Sequence, residues 1–234
     1  MATSPSPHGL TDPFTAFMEL ERTLAPGPDV SHMVYVSSDL VPGTLQTEAY
    51  WRAHVAHVPE LGAFGEAWGT AIWHERQERA TLIATAPGIV PHYYIGVAAL
   101  TQVAEICRPA DALEQLMVLR AAIEQPNARL RLSSKGGADE FYGHYQFGDD
   151  RDCGMWPNGV WYEQLDEGAA HVDPVKDPRA ARYYADVVET LRHGSALSEA
   201  NSAVVLDLTA ESIAAGRRIR WQPEVATYLW DKAF

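Results

Sequence analysis

Apolar residues recur along this chain at two spacings, and the switches between them divide it into elements. Phe14, Phe17, Leu20 and Leu24 return at helical spacing and predict a short helix, stopped by Ala25-Pro26-Gly27-Pro28. "HMVYVSS" is β-branched and aromatic and predicts a strand ending near Ser38. Pro42-Gly43 makes a tight turn, after which "TLQTEAYWRAHVAHV" becomes helical. A longer helix is expected from about 61 to 83, with Phe64, Trp68, Ile72 and Trp73 on the apolar face and Glu75, Arg76, Glu78 and Arg79 on the other side.

After the breaker "APGIVP", the run "HYYIGVAAL" reads as a buried strand passing into a helix. "PADALEQLMVLRAAIEQ" is an amphipathic helix whose wide face carries Leu113, Leu116, Met117, Leu119, Arg120 and Ile123, and Pro126-Asn127 ends it. "ARLRLSS" alternates as a strand does, and "FYGHYQF" and "GVWYEQL" are two more strands across an acidic, turn-rich connection. Helices are expected from near Pro178, with Val187, Val188 and Leu191 on one face, and from Ser198. The strand, helix and strand from His92 to Leu132 fit a βαβ crossover. The fold expected is therefore α/β or α+β: a single central mixed β-sheet flanked by helices, formed by 13–234 behind a mobile tail at 1–12, with no helix-turn-helix.

Composition narrows the function. The 234 residues carry a net charge of −13, with a pI near 5.0, which disfavours nucleic acid and anionic membranes as partners. No apolar run reaches the roughly 18 residues of a membrane span, and the first residues lack the order of a signal peptide. A cytoplasmic location follows, with Cys107 and Cys153 expected as free thiols rather than one bridge. The aromatic tail with Trp221, Tyr228, Trp230 and Phe234 is too apolar for a solvated end and suggests packing on the body or in a homodimer.

No phosphate loop, dinucleotide fingerprint, nucleophile elbow or zinc-protease motif occurs, so no cofactor is expected. Lys135-Gly136-Gly137 has the wrong spacing for a phosphate cradle and reads as a turn. His54 and His57 are three apart with Glu60 nearby, but a metal needs a further ligand, for which His74 is the candidate; partly exposed helix histidines and no metal are the expectation. In "WHERQER", Arg76 is a candidate clamp for a carboxylate and Gln77 a hydrogen-bonding partner, with Trp73 beside them, against the plainer reading of a solvated face paired Glu75 to Arg79. If "FYGHYQF" pairs with "GVWYEQL", then His144, Tyr142 or Tyr145, Tyr162 and Glu163 come onto neighbouring strands, with Tyr142 and Gln146 sharing the face of His144 and Trp161 and Leu165 that of Glu163. Burial at the end of an apolar strand would raise the Glu163 pKa towards general acid/base work, and the aromatic neighbours would wall a ring-bearing ligand.

"VPGTLQTEAYWRAH" resembles the hallmark of DUF5753, a domain of unknown function found behind the helix-turn-helix of many actinobacterial regulators and often described as antitoxin-like. "ERQERATLI", "HYYIGVAAL", "ALEQLMVLRAAIEQPNARLRLSS", "GVWYEQL" and "RAARYYADVVETLRHGSALSEANSAVVLDL" follow in the same order, over about 16 to 210. The sequence departs from the family pattern at Gly96-Val97, which replace an acidic pair, at "TQVAE", and in the aromatic loop "GGADEFYGHYQF". Only about 30 residues precede the shared part, too few for the DNA-binding module. A retained fold with a changed loop implies a new ligand or reaction.

Two functions are carried forward. One is a cofactor-independent enzyme of specialised metabolism, working by acid/base cyclisation, condensation or isomerisation in the manner of Pictet–Spengler cyclases. There Glu163 is the acid/base, Arg76 the carboxylate clamp, and His144 with Tyr162 a relay. The other is a non-catalytic small-molecule sensor or antitoxin-like interaction protein.

Overall fold

The computed structural model describes residues 32–37, 39–58, 65–86, 89–133, 144–148, 160–166, 169–175, 186–217 and 219, with the backbone pairing alone across 144–175. The expected helix near 14–24, the turn at Lys135-Gly136-Gly137, Cys153, the aromatic tail and Tyr142 lie outside these residues.

The chain forms a mixed α/β fold around one six-stranded sheet. Strand β1 (His32–Ser37) is followed by α1 (Glu48–His57) and α2 (Glu66–Thr85), then β2 (Val90–Gly96). Helices α3 (Val97–Ile106) and α4 (Pro109–Glu124) lead to β3 (Arg129–Ser133), after which come β4 (His144–Gly148), β5 (Val160–Asp166), β6 (Ala169–Val175) and α5 (Glu199–Ala214). The strand order is β3-β2-β1-β4-β5-β6. β1, β2 and β3 are parallel, each reached from the last through two helices, whereas β4, β5 and β6 form an antiparallel meander beside β1. No helix-turn-helix occurs among the described residues, and none of the described helices is long and apolar enough to cross a membrane.

The buried residues explain the parallel half. Met33, Tyr35, Tyr93, Ile95, Leu130 and Leu132 join Ala99, Leu100 and Val103 of α3, Leu116 and Leu119 of α4, and Val205 and Leu206 of α5 in one apolar core. The free thiol of Cys107 is at its edge, and burial pushes its pKa up to about 11. Helix boundaries follow local chemistry. Thr47 and Ser198 cap α1 and α5 by accepting from Tyr50 N and Asn201 N. Pro109 opens α4, and Gly216 at φ 64° closes α5 in the left-handed conformation.

Edge strand β3 is sealed by the segment before α5. Leu197 N donates to Leu132 O at 2.8 Å, and Leu132 N donates to the Ser202 hydroxyl at 2.9 Å. The Arg131 guanidinium donates to three carbonyls, those of Leu197, Arg192 and Ala196, at 2.6, 2.7 and 2.7 Å. This holds the π-helical turn Leu191–Ser195 against the sheet and covers the carboxyl end of the β3 edge.

Three readings of the pattern change. Arg76 and Arg79 are buried, in line with Trp68, Ile72 and Ile83, and so belong to the inward face of α2. Met117 is 70% exposed and lies outside the buried stripe of α4, which runs through Ala112, Gln115, Leu116, Leu119 and Ala122. His54 is buried instead of partly exposed.

Candidate functional site

The strand order reverses at β1: β2 lies on one side of it and β4 on the other. In open parallel α/β sheets ligands bind outside the carboxyl ends of the strands at such a reversal; here β4 is antiparallel, so the carboxyl end of β1 meets the first residue of β4. The chain leaving β1 here makes a tightly held turn. The Ser37 hydroxyl donates to Leu40 O at 2.7 Å, and a 3₁₀ turn follows at Gly43–Leu45.

Every side of that turn is gripped. Val41 N donates to the Tyr50 hydroxyl at 3.3 Å, and the Tyr50 hydroxyl in turn donates to Gln102 Oε1 at 2.5 Å. Gln46 Nε2 donates to Val41 O at 2.7 Å. From α4, the fully buried Gln115 carboxamide accepts from Thr47 N and donates to Leu45 O, both at 2.8 Å, as a backbone strand would. From α2, Arg76 Nη1 donates to Gln46 Oε1 at 2.7 Å while its guanidinium carbon lies 4.2 Å from the centre of the Trp51 ring. Such a desolvated cation–π contact contributes up to about 2 kcal/mol. Gly43 fits between these groups because it has no side chain: a Cβ there would stand 3.1 Å from Arg76 Cδ, Arg76 Nε and Arg79 Nη2.

Burial sets the electrostatics. His54 packs between the Tyr50 and Trp51 rings. Desolvation first, then Arg76 and His57, lowers its pKa to about 4, so it is neutral at pH 7. Its Nδ1 is buried with no hydrogen-bond partner. Desolvation raises the Tyr50 hydroxyl well above its usual range and Tyr93 to about 12. Tyr93 stacks on Tyr35 with ring centres 4.9 Å apart and shares a hydrogen bond with Thr44 at 3.2 Å. Among the described residues no group of three His, Cys, Asp or Glu side chains gathers as metal ligands. His57 and His74 are both exposed, on different helices.

The candidate residues fall in two places. Arg76 is in the turn brace, with Trp73 and Gln77 half-buried on the flanks of α2. His144 and Glu163 are directly opposite each other in the β4–β5 ladder. The row continues through Ser37 of β1 to Ile95 and Leu132, so that the pair occupies the level at which β1 ends. Tyr162 pairs with Tyr145 in the next row and Trp161 with Gln146 in the one beyond. The sequence reading missed Gln46, Gln115, Trp51 and Gly43. One signal was present: Gln115 interrupts an otherwise apolar buried stripe, where a polar residue must find partners.

The sequence model of the domain of unknown function DUF5753 matches residues 22–207, most of the chain. The chain belongs to the DUF5753 family. The matched span includes the braced turn, both α2 arginines, Gln115, His144 and Glu163, so this DUF5753 domain contains the whole switch-point region. No curated protein and no solved structure matches it.

Proposed function

We propose that this DUF5753 domain binds a small aromatic or carboxylate-bearing molecule at the β1/β4 switch point and transforms it by acid/base chemistry. The observation that carries the reading is the ladder row in which Glu163 stands opposite His144, which in turn stands opposite Ser37 at the carboxyl end of β1. Neighbouring strands are about 4.8 Å apart, so a carboxylate and an imidazole at opposed positions are close enough to work on one substrate. Glu163 is the general acid/base and His144 the relay, while Tyr162, one residue along β5, falls in the next ladder row and so on the other face of the sheet. The Arg76 guanidinium, held by Gln46 and Trp51, fixes the turn that borders the switch point. The reaction class is cyclisation, condensation of an amine with a carbonyl compound, or isomerisation, in specialised metabolism and without a cofactor. A well-placed acid/base contributes roughly 10²–10⁴-fold to the rate.

Engagement of Arg76 inside the protein also favours a second reading, a sensor or antitoxin-like interaction protein without catalysis. One experiment separates the two. Arylethylamines paired with aldehydes, and aromatic amino acids, are incubated with wild type and Glu163→Gln, and products are followed by mass spectrometry alongside calorimetric binding. Acid/base catalysis predicts turnover that falls about a hundredfold or more in Glu163→Gln while affinity is kept. Unchanged turnover in the variant removes Glu163 from the chemistry. Binding by both proteins with conversion by neither favours the sensor.

A further inference from the structure

The turn whose Gly43 lies against Arg76 and Arg79 presents Thr44 and Leu45 to a separate cleft between α2 and α4. This cleft has a volume of about 350 Å³, within the roughly 300–1,000 Å³ of small-molecule sites. Ala80, Ile83 and Ala84 form one wall and Val118, Ala121 and Ala122 the other, with Pro91 and Tyr93 between them. Short side chains from both helices keep the space open. None of its lining residues is charged, although 21% of the chain is. Its polar groups are the hydrogen-bonded hydroxyls of Thr44 and Tyr93, and the carboxamides of Gln125 and Asn127.

We infer that this cleft is a second ligand site, distinct from the Glu163–His144 row, which takes an uncharged, largely hydrocarbon or aromatic molecule bearing one hydroxyl or carbonyl group. The alanine walls provide apolar area on two sides, as a flat ring system needs. The Thr44 and Tyr93 hydroxyls exchange their mutual bond for one with the ligand's polar group, so neither is left unpaired. A carboxylate in the same place loses hydration without gaining a cation among the lining residues. An occupant rests on Thr44 and Leu45, and therefore on the turn that borders the switch point.

The test uses 2-naphthol and naphthalene-2-carboxylate, one ring frame with and without charge, titrated at pH 7 by calorimetry and saturation-transfer NMR. The wild type binds 2-naphthol saturably, and the carboxylate at least about tenfold more weakly. Ala121→Leu, made at an exposed helix position where Leu is well tolerated, fills the cleft and weakens 2-naphthol by about tenfold or more. Thr44→Val weakens it severalfold and decides the matter if the first variant does not fold. The acid/base reading is tested by turnover in Glu163→Gln and this one by the 2-naphthol affinity of the cleft variants, so the two fail independently. Absence of saturable 2-naphthol binding, equal binding of the carboxylate, or full affinity in both cleft variants overturns the inference.

Discussion

Gly43 and His54 show how much of this region rests on single atoms. Adding one methyl at Gly43 pushes into two guanidinium groups, one fixed by Gln46 and the Trp51 ring, so the neighbours have little room to yield. Gly43→Ala is expected to lower stability by about 1–3 kcal/mol, as overpacking does, read as a lower urea midpoint at unchanged m-value. His54 gives a pH dependence whose sign is fixed. Its folded pKa of about 4 lies below the unfolded value of about 6.5. The unfolded chain therefore takes up the proton first as pH falls. Stability is complete above about pH 6.5 and declines towards pH 4, by up to about 3 kcal/mol from this residue. In His54→Phe, denaturation across that window should lose this component of its slope. A variant as pH-dependent as the wild type would remove the role of His54. None of this was legible from residue type alone. Arg76, Arg79 and His54 are placed outside by any hydrophobicity count, because such a count has no term for a cation satisfied by a ring and a carboxamide.

At the scale of elements, what could be read was what periodicity encodes. β1, β2, β3, β4, β5 and the start of α5 at Ser198 lie where the pattern puts them, and the β2–β3 crossover is parallel. β6 was missed. Its "AAHVDPV" contains Asp173 and Pro174, which argue against a central strand, and β6 is an edge strand, where proline is tolerated. Met117 was assigned inward because apolar type alone does not resolve one helix face from the next. Arg131 is a further case of chemistry hidden in a pattern: it alternates correctly in "RLRLS", yet it anchors three carbonyls of the segment before α5. Arg131→Ala is expected to cost about 2–3 kcal/mol, the order of one or two hydrogen bonds to a charged donor. Hydrogen exchange at Leu132 and Leu197 should quicken in the variant more than exchange in α3. Equal protection at those amides would mean that the edge is sealed without the guanidinium.

Across the whole molecule, the string "VPGTLQTEAYW" has a structural explanation. It forms a turn and the start of a helix clamped from α1, α2 and α4, at the place where the sheet reverses direction. Holding that turn rigid keeps the end of β1 in register with His144 and Glu163, one and two strands away across the sheet. Family and fold were legible because they rest on long stretches of order. Chemistry was less so, since it rests on where a few side chains converge, and convergence depends on strand pairing that no local pattern states. The pairing of His144 with Glu163 is the link between the two levels. The most direct measurement is a crystal structure of the protein with a bound small molecule that it converts. The account predicts that molecule at the carboxyl end of β1, within hydrogen-bonding distance of both the Glu163 carboxylate and the His144 imidazole. A converted molecule bound elsewhere, with the Glu163 carboxylate directed into solvent, would contradict it.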